Sequence, residues 1–298
     1  MKKNLLGIIC LSMLSLATVS CSSSDDSTVN VDPNPNPNPN PEPEPEPEPV
    51  TAKFKHRVLV EDFTGIWCGW CPRVAHGIDL LKETPEADNY VFGAIHNGDV
   101  LTISGTGSLA TSLWTKFQTP SNQRGYPFAA INRSTTWKYP EPNNLNQVKN
   151  LVQAAGVPVG IKISSTLTPT GGSINFGIKM GQTMTGLKYV CYVVENGITK
   201  PNNPQENYTD YYGGADLLPN FVHNDAFLKS TGALAGTAIS DATTSGTEIN
   251  YTGQSITYTS HTNNIENIEV VVMVLNDKND VINVRKAKAN ATVDYEQL

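Results

Sequence analysis

Cys68 and Cys71, a pair separated by two residues, are the side chains of this sequence best suited to covalent chemistry. The pair lies in the segment WCGWCP at 67–72, directly after an apolar run at 58–63. In thiol–disulfide exchange the nucleophile is the thiolate, and a helix N-terminus favours that anion through its unpaired N–H groups and positive dipole end. The spacing therefore predicts exchange chemistry, with Cys68 as the attacking thiol and Cys71 as the resolving thiol.

Two other uses of the pair stay open from the residues alone. The pair could form a purely structural disulfide, although a loop this short removes little entropy from the unfolded chain. The neighbouring Trp67, Gly69 and Trp70 favour a contact surface over a buried staple. A zinc site would need two more ligands, and the five histidines and Cys191 show no second paired spacing. The sequence thus predicts no metal and no other cofactor.

Hydrophobic periodicity indicates the elements that must position the pair. Val74, Ile78 and Leu81 recur at i, i+4 and i+7, which predicts an amphipathic helix from Cys71 to just before Thr84. The further predicted elements are a buried strand at 90–95, a helix at 109–117, a strand opened by a proline within 125–133 and a helix at 145–152. The order is β-α-β-α-β-(β)-α, with the cysteines at the first β-α turn.

The first 50 residues predict export and anchoring rather than a folded core. Residues 1–20 join two lysines to an apolar run that is short for a membrane span, as in a signal peptide. Because its small residues end on Cys21, the segment resembles a bacterial lipoprotein signal. The resemblance implies that Cys21 is acylated, for example with palmitate. The alternative is ordinary secretion, with cleavage elsewhere. Within 21–50, proline at every second position from 33 to 49 predicts a semi-rigid extended stalk.

The remaining chain predicts an α/β domain at 51–156 and an all-β domain at 157–298, whose strand spacing favours a β-sandwich. Its predicted strands are 158–166, 173–180, 187–195, 254–260, 267–275 and 280–287. The third strand carries Cys191, where a lone cysteine usually behaves as a small buried hydrophobe. The long tyrosine-containing segment before the fourth strand is predicted to be either a binding surface or an irregular covering flap. With a formal charge of −7 and no basic cluster in the body, nucleic acid is excluded as the expected partner.

Residues 58–71 resemble the thioredoxin pattern, with an acidic residue six positions before the first cysteine, a tryptophan beside that cysteine and a glycine within the motif. The resemblance implies that Asp62 is a buried carboxylate that relays a proton to the second cysteine. Since burial raises the pKa of a carboxyl group, Asp62 could act as a base near neutral pH. Glu61 is its rival, because neighbours on a strand point to opposite faces.

The segment around Tyr126 and Pro127 resembles the cis-proline loop of the same superfamily. In those proteins the loop lies against the catalytic disulfide and binds the backbone of the substrate. The resemblance therefore implies a substrate-binding role for Tyr126 and Pro127, together with Trp67 and Trp70 beside the cysteines.

A closer resemblance combines EDFTG at 61–65, CGWCP at 68–72, the segment 125–133 and VENGI at 194–198. Together these segments resemble the Bacteroidetes 28-kilodalton outer-membrane-protein-related lipoproteins over most of 51–298. Membership would imply an outer membrane lipoprotein, facing the cell surface or the periplasm, with a thioredoxin-like domain followed by a β-rich domain. It leaves the activity open, because some relatives are described only as surface antigens or adhesins.

Two functions of different classes follow from the sequence. The first is a thiol–disulfide oxidoreductase that uses Cys68 and Cys71 on protein thiols or disulfides and exchanges electrons with a further redox partner. The second is a binding or adhesion lipoprotein, in which a redox-inactive thioredoxin-like scaffold and the β domain engage a glycan or a host protein. The first is favoured, because a scaffold has no need of both thiols, an acidic residue behind them and a candidate cis-proline.

Overall fold

Residues 51–240 and 243–298 are described by the structure, which is a computed structural model. The predicted signal segment, Cys21 and the proline-rich stalk lie outside the described residues. No helix in the described ranges is long and apolar enough to cross a membrane.

The N-terminal part has the predicted order of elements. Its strands are β1 (Val58–Thr64), β2 (Tyr90–His96), β3 (Phe128–Ile131) and β4 (Thr135–Thr136), and its helices are α1 (Pro72–Lys82), α2 (Gly107–Lys116) and α3 (Leu145–Lys149). Strand β1 pairs in parallel with β2 and antiparallel with β3, which pairs antiparallel with β4. Helix α1 forms as predicted because Val74, Ile78 and Leu81 are buried along one stripe against the sheet.

Helix α3 is shorter than predicted, since it ends at Lys149. Leu151 and Val152 still pack against the core formed by α1 and the sheet. Their apolar side chains are therefore partly buried from beyond the end of the helix, and a periodic pattern does not distinguish this from a longer helix.

The C-terminal part is built of strands. They are β5 (Val159–Thr168), β6 (Gly171–Met180), β7 (Lys188–Glu195), β8 (Ile198–Thr199), β9 (Gln205–Glu206), β10 (Leu217–Leu218), β11 (Val222–His223), β12 (Ala226–Ser230), β13 (Thr237–Ala238), β14 (Glu248–Thr257), β15 (Ile268–Leu275), β16 (Val281–Lys288) and β17 (Thr292–Val293). Strand β14 begins six residues before the predicted 254. Its first residues alternate between half-buried and exposed positions, so no continuous apolar run marks them in the sequence.

One sheet runs through both halves of the chain, in the strand order β16-β15-β7-β12-β2-β1-β3-β4, with β13 added beside β7. Within this sheet the two halves join through the parallel pairing of β12 with β2, at Ala226 and Ala94. The predicted division at residue 156 stays a prediction, and the sheet crosses it.

A second sheet, in the order β14-β6-β5-β17, covers one face of the C-terminal strands of the first. Alternate residues of β7 show the layering. Tyr189, Cys191 and Val193 pack into the core shared with the second sheet, whereas Tyr192 and Val194 pack on the opposite face, in the core that contains α2 residues. The β-rich C-terminal part is thus a two-sheet arrangement, with the first sheet extended toward the cysteine pair.

Candidate active site

Cys68 and Cys71 are joined by a disulfide at the junction of β1 and α1, with their Cα atoms 5.3 Å apart. The backbone turns tightly here, since the Cys68 N–H donates to Gly65 (3.0 Å) and the Cys71 N–H donates to Cys68 (3.0 Å). Cys71 is the N-cap of α1, and Pro72, which has no N–H to satisfy, occupies the first helical turn. The positive end of the helix dipole therefore lies at the disulfide.

The two cysteines are buried while the tryptophans beside them are not. Cys68 and Cys71 are 4% and 2% exposed, whereas Trp67 and Trp70 are 44% and 51% exposed. The exposed indoles form a contact surface around a sulfur pair that solvent scarcely reaches.

Trp67 is brought together with the predicted proline loop. Its Nε1 donates a hydrogen bond of 2.7 Å to the Asn97 carbonyl, and its ring meets the edge of Tyr126 at 5.8 Å between centroids. Tyr126 also contacts Trp114 of α2 edge-on, and the Tyr126–Pro127 peptide bond is cis. Trp70 lies apart from this group and instead meets Tyr208, at 6.0 Å.

Asp62 and Glu61 have opposite environments. Glu61 is fully buried and holds Arg133 through two hydrogen bonds, of 2.7 and 2.6 Å. Asp62 is also buried, but its Oδ1 finds no hydrogen-bond partner among the described residues, and it shares a cavity with Cys71. Of the two rivals, the carboxylate on the cysteine side is Asp62.

Burial raises the pKa of Asp62 well above its usual range, because desolvation disfavours the charged carboxylate. The negative charge of Glu141 adds to this effect, and the positive charge of Arg73 opposes it. Arg73 and Glu141 form an ion pair with Nε and Oε2 2.5 Å apart, and both side chains are largely buried. No local pattern in the sequence indicates this pair, because it joins the first turn of α1 to a residue 68 positions later.

A cavity of about 490 Å³ lies behind the disulfide. Asp62, Cys71 and Phe92 line it on the side of the sheet and α1, and parts of the segment 205–225 line it on the other side. The Asp62 carboxyl group and the second cysteine therefore line one cavity.

The long segment before β12 folds onto the cysteine motif. We call residues 204–223 the cap. The Gln205 side chain donates hydrogen bonds to the carbonyls of Cys68 (3.1 Å) and Gly65 (3.4 Å), and the Tyr208 N–H donates to Gly69 (2.7 Å). The sequence predicted either a binding surface or a covering flap for this segment. Its position is that of a flap, and it lies over the cysteine motif.

Asp99 is a further site residue that no pattern in the sequence indicates. Its carboxylate accepts hydrogen bonds from His96 Nδ1 (2.7 Å), from the Ile66 N–H (2.8 Å) and from the Leu101 N–H (2.8 Å). Burial alone would raise its pKa, but these hydrogen bonds and the charge of His96 hold it below the usual range. Asp99 thereby fixes the loop that leads into Cys68.

Cys191, the third cysteine in the described ranges, lies apart from the site. It is 1% exposed within β7, and burial raises its thiol pKa to about 12. Such a thiol does not ionise near neutral pH and packs as an apolar side chain. No group of three or more histidine, cysteine or acidic side chains in 51–240 and 243–298 is placed to hold a metal ion.

Comparison with known proteins identifies the family. The family model described as outer membrane protein Omp28 matches residues 115–293, which is more than half of the chain. The chain belongs to the Omp28 family. This confirms the family predicted from the sequence, and it makes the chain an outer-membrane-associated protein.

The Omp28 match covers the proline loop, Arg133, Glu141 and the whole cap, and it begins after the two cysteines. Among solved structures, HBP35 of Porphyromonas gingivalis is similar to this chain with a TM-score of 0.58 and 20% identity, over 80% of this chain and 76% of that one. At 20% identity, the likeness shows a similar fold and carries no further conclusion. No curated protein matches the sequence.

Proposed function

We propose that this Omp28-family protein is a thiol–disulfide oxidoreductase of the outer membrane that acts through Cys68 and Cys71. The observation that carries the proposal is a disulfide at the N-terminus of α1 that shares a cavity with Asp62, a buried carboxyl group whose Oδ1 has no hydrogen-bond partner in the described part of the chain. A purely structural disulfide has no use for a buried acid, which lowers stability; such groups cluster at sites where their proton takes part in the function.

The arrangement of strands supports a thioredoxin-like domain at 51–156. The order β1-α1-β2-α2-β3-β4-α3 builds the sheet order β2-β1-β3-β4, with β1 and β2 parallel and the other pairs antiparallel. The element order and the place of the cysteine pair after β1 match those expected from the thioredoxin resemblance. In this domain Trp67, Trp70, Tyr126 and Pro127 would contact the substrate.

A substrate dithiol would be oxidised in two steps. A substrate thiolate attacks Sγ of Cys68, the bond to Cys71 breaks, and the departing Cys71 thiolate takes the proton of the Asp62 carboxyl group. The second substrate thiolate attacks the mixed disulfide and releases Cys68. The substrate loses two electrons and the cysteine pair gains them, and the reverse sequence, with Asp62 as base, reduces a substrate disulfide.

The reduction potential of the Cys68–Cys71 pair tests this function. We expect a value within about −120 to −270 mV, the range of exchange enzymes, when the full-length protein is equilibrated with glutathione or dithiothreitol buffers and its thiols are alkylated and located by mass spectrometry. In Cys71→Ser, protein partners should accumulate as mixed disulfides through Cys68, because the resolving thiol is missing.

The double variant Cys68→Ser/Cys71→Ser is the control and should trap nothing. A potential below about −300 mV, with no partner trapped through Cys68, would mark a structural disulfide. That result would reject the oxidoreductase in favour of the second function, a lipoprotein that binds a glycan or a host protein.

A lipid anchor at Cys21 is part of the proposal and rests on the signal-like residues that precede it. We expect Cys21→Ser to move the protein from the membrane fraction to the soluble fraction, because the acyl chains supply the apolar contact with the bilayer. Cys10→Ser, a change within the predicted signal, should leave the protein in the membrane fraction. Equal membrane retention of Cys21→Ser and the parent would rule out the anchor.

A further inference from the structure

An extended segment of the cap lies along the cysteine motif as a substrate strand would. The Glu206 N–H donates to the Ile66 carbonyl at 2.8 Å, and the Tyr208 N–H donates to the Gly69 carbonyl at 2.7 Å. The two donors are two residues apart, the spacing at which N–H groups of a β-strand point the same way. The motif therefore offers two carbonyls at a spacing suited to an extended polypeptide.

The Tyr208 side chain completes the contact over the middle of the motif. A Cβ atom on Gly69 would lie 2.4 Å from the Tyr208 ring, so the ring rests directly on the glycine. The same ring meets Trp70 edge-on at 6.0 Å. Only glycine at position 69, which has no side chain, permits this approach.

The rest of the cap holds this segment in place. Tyr212 donates a hydrogen bond of 2.7 Å to Asp79 of α1, and Tyr211 stacks on His76 with ring centroids 4.3 Å apart. With the cap seated, Cys68 is 4% exposed. A nucleophile must reach Sγ of Cys68 from outside, and the seated cap occupies the carbonyls of Ile66 and Gly69 on either side of that residue.

We infer that residues 205–208 occupy the strip where the protein substrate binds, and that the substrate is an extended polypeptide which displaces them. This inference rests on the proposed function and names its substrate class. When the cap leaves, the carbonyls of Ile66 and Gly69 need new N–H donors, which an extended chain supplies at the same spacing. The groove vacated by Tyr208 selects an aromatic side chain near the reacting cysteine.

The first test measures access to the disulfide. In Tyr208→Ala and in Gln205→Ala of the full-length protein, we expect dithiothreitol to reduce the Cys68–Cys71 bond about tenfold faster or more, since the observed rate follows the fraction of molecules with an open cap. Tyr208→Phe is the matched control. It keeps the ring on Gly69 and loses only the hydroxyl contact with Glu206, so its rate should equal that of the parent.

The second test measures recognition in the Cys71→Ser background. Two peptides, PQENYTC and PQENSTC, are activated as mixed disulfides with nitrothiobenzoate, and attack by Cys68 releases the coloured thiolate. With Tyr208→Ala added, we expect the tyrosine peptide to react faster than the serine peptide, with mass spectrometry placing the bond at Cys68. The intact cap should slow both peptides.

Equal dithiothreitol rates in the parent, Tyr208→Ala and Gln205→Ala would overturn the inference, because the cap would then not limit access. Faster reduction with equal peptide rates would overturn it as well, since the strip would not recognise a chain. Both measurements use Cys68 with artificial probes. They therefore report on the cap even if the reduction potential and the absence of trapped partners reject the oxidoreductase.

Discussion

Replacing Arg133 with methionine is expected to lower the free energy of unfolding by about 3–5 kcal/mol, the cost typical of breaking a buried ion pair by removing one partner. Glu61 is fully buried, and the two guanidinium hydrogen bonds are what satisfy its carboxylate. Arg133 also donates to the Leu234 carbonyl at 2.5 Å, which ties β3 to the C-terminal part. Urea unfolding followed by tryptophan fluorescence measures the change.

Two variants make this expectation specific. Lys162→Met breaks the ion pair with Glu248, whose side chains are about one-third exposed, and should cost about 0–1 kcal/mol. Adding Glu61→Met to Arg133→Met should restore part of the lost stability. The double variant has two apolar side chains in place of the pair, whereas Arg133→Met alone leaves the Glu61 charge buried without a partner. Equal losses for the Arg133 and Lys162 variants would show that burial does not set the strength of the Glu61–Arg133 pair.

The elements around the cysteines could be predicted because their signals are local. The stripe of Val74, Ile78 and Leu81 specifies α1, and the apolar run before Thr64 specifies β1. A local pattern also placed the cysteine pair at the junction of these elements. The spacing of side chains within a helical turn or a strand determines such elements, and this spacing can be read from a single sequence.

The partners of the site residues could not be predicted, because each joins distant parts of the chain. Glu61 and Arg133 are 72 positions apart, and Gln205 reaches Cys68 across 137 positions. The length and the tyrosines of the segment that forms the cap favoured a binding surface, with a covering flap as the alternative, but nothing local indicates that Tyr208 rests on Gly69. The residues alone could not decide between Asp62 and Glu61 for the same reason, since the answer depends on the position of Arg133, which pairs with Glu61.

Asp62→Asn is expected to slow thiol–disulfide exchange by roughly 10²–10⁴-fold, the usual contribution of a positioned acid or base. The amide matches the carboxyl group in shape but can neither give a proton to the departing Cys71 thiolate nor take one from the Cys71 thiol. With a substrate dithiol the loss should fall on formation of the mixed disulfide at Cys68, when Cys71 departs, and with a substrate disulfide on its release, when Cys71 attacks. Stopped-flow kinetics with a peptide substrate, across pH 5–9, measures it, and Asp88→Asn, an exposed carboxylate away from the site, should leave the rate unchanged.

The stability of the same variant relative to the parent should increase as pH rises. The folded-state pKa of Asp62 lies above its unfolded value, so at pH above about 4 the unfolded chain ionises while the folded protein must keep the proton or bury the charge. This cost grows until the pH passes the folded pKa and is constant beyond it. The unpaired amide of asparagine carries a cost that does not depend on pH, so the stability difference between Asp62→Asn and the parent isolates the carboxyl group. A difference that stays flat from pH 4 to pH 9 would mean that Asp62 is not a buried acid, and the proton transfer assigned to it would fail with it.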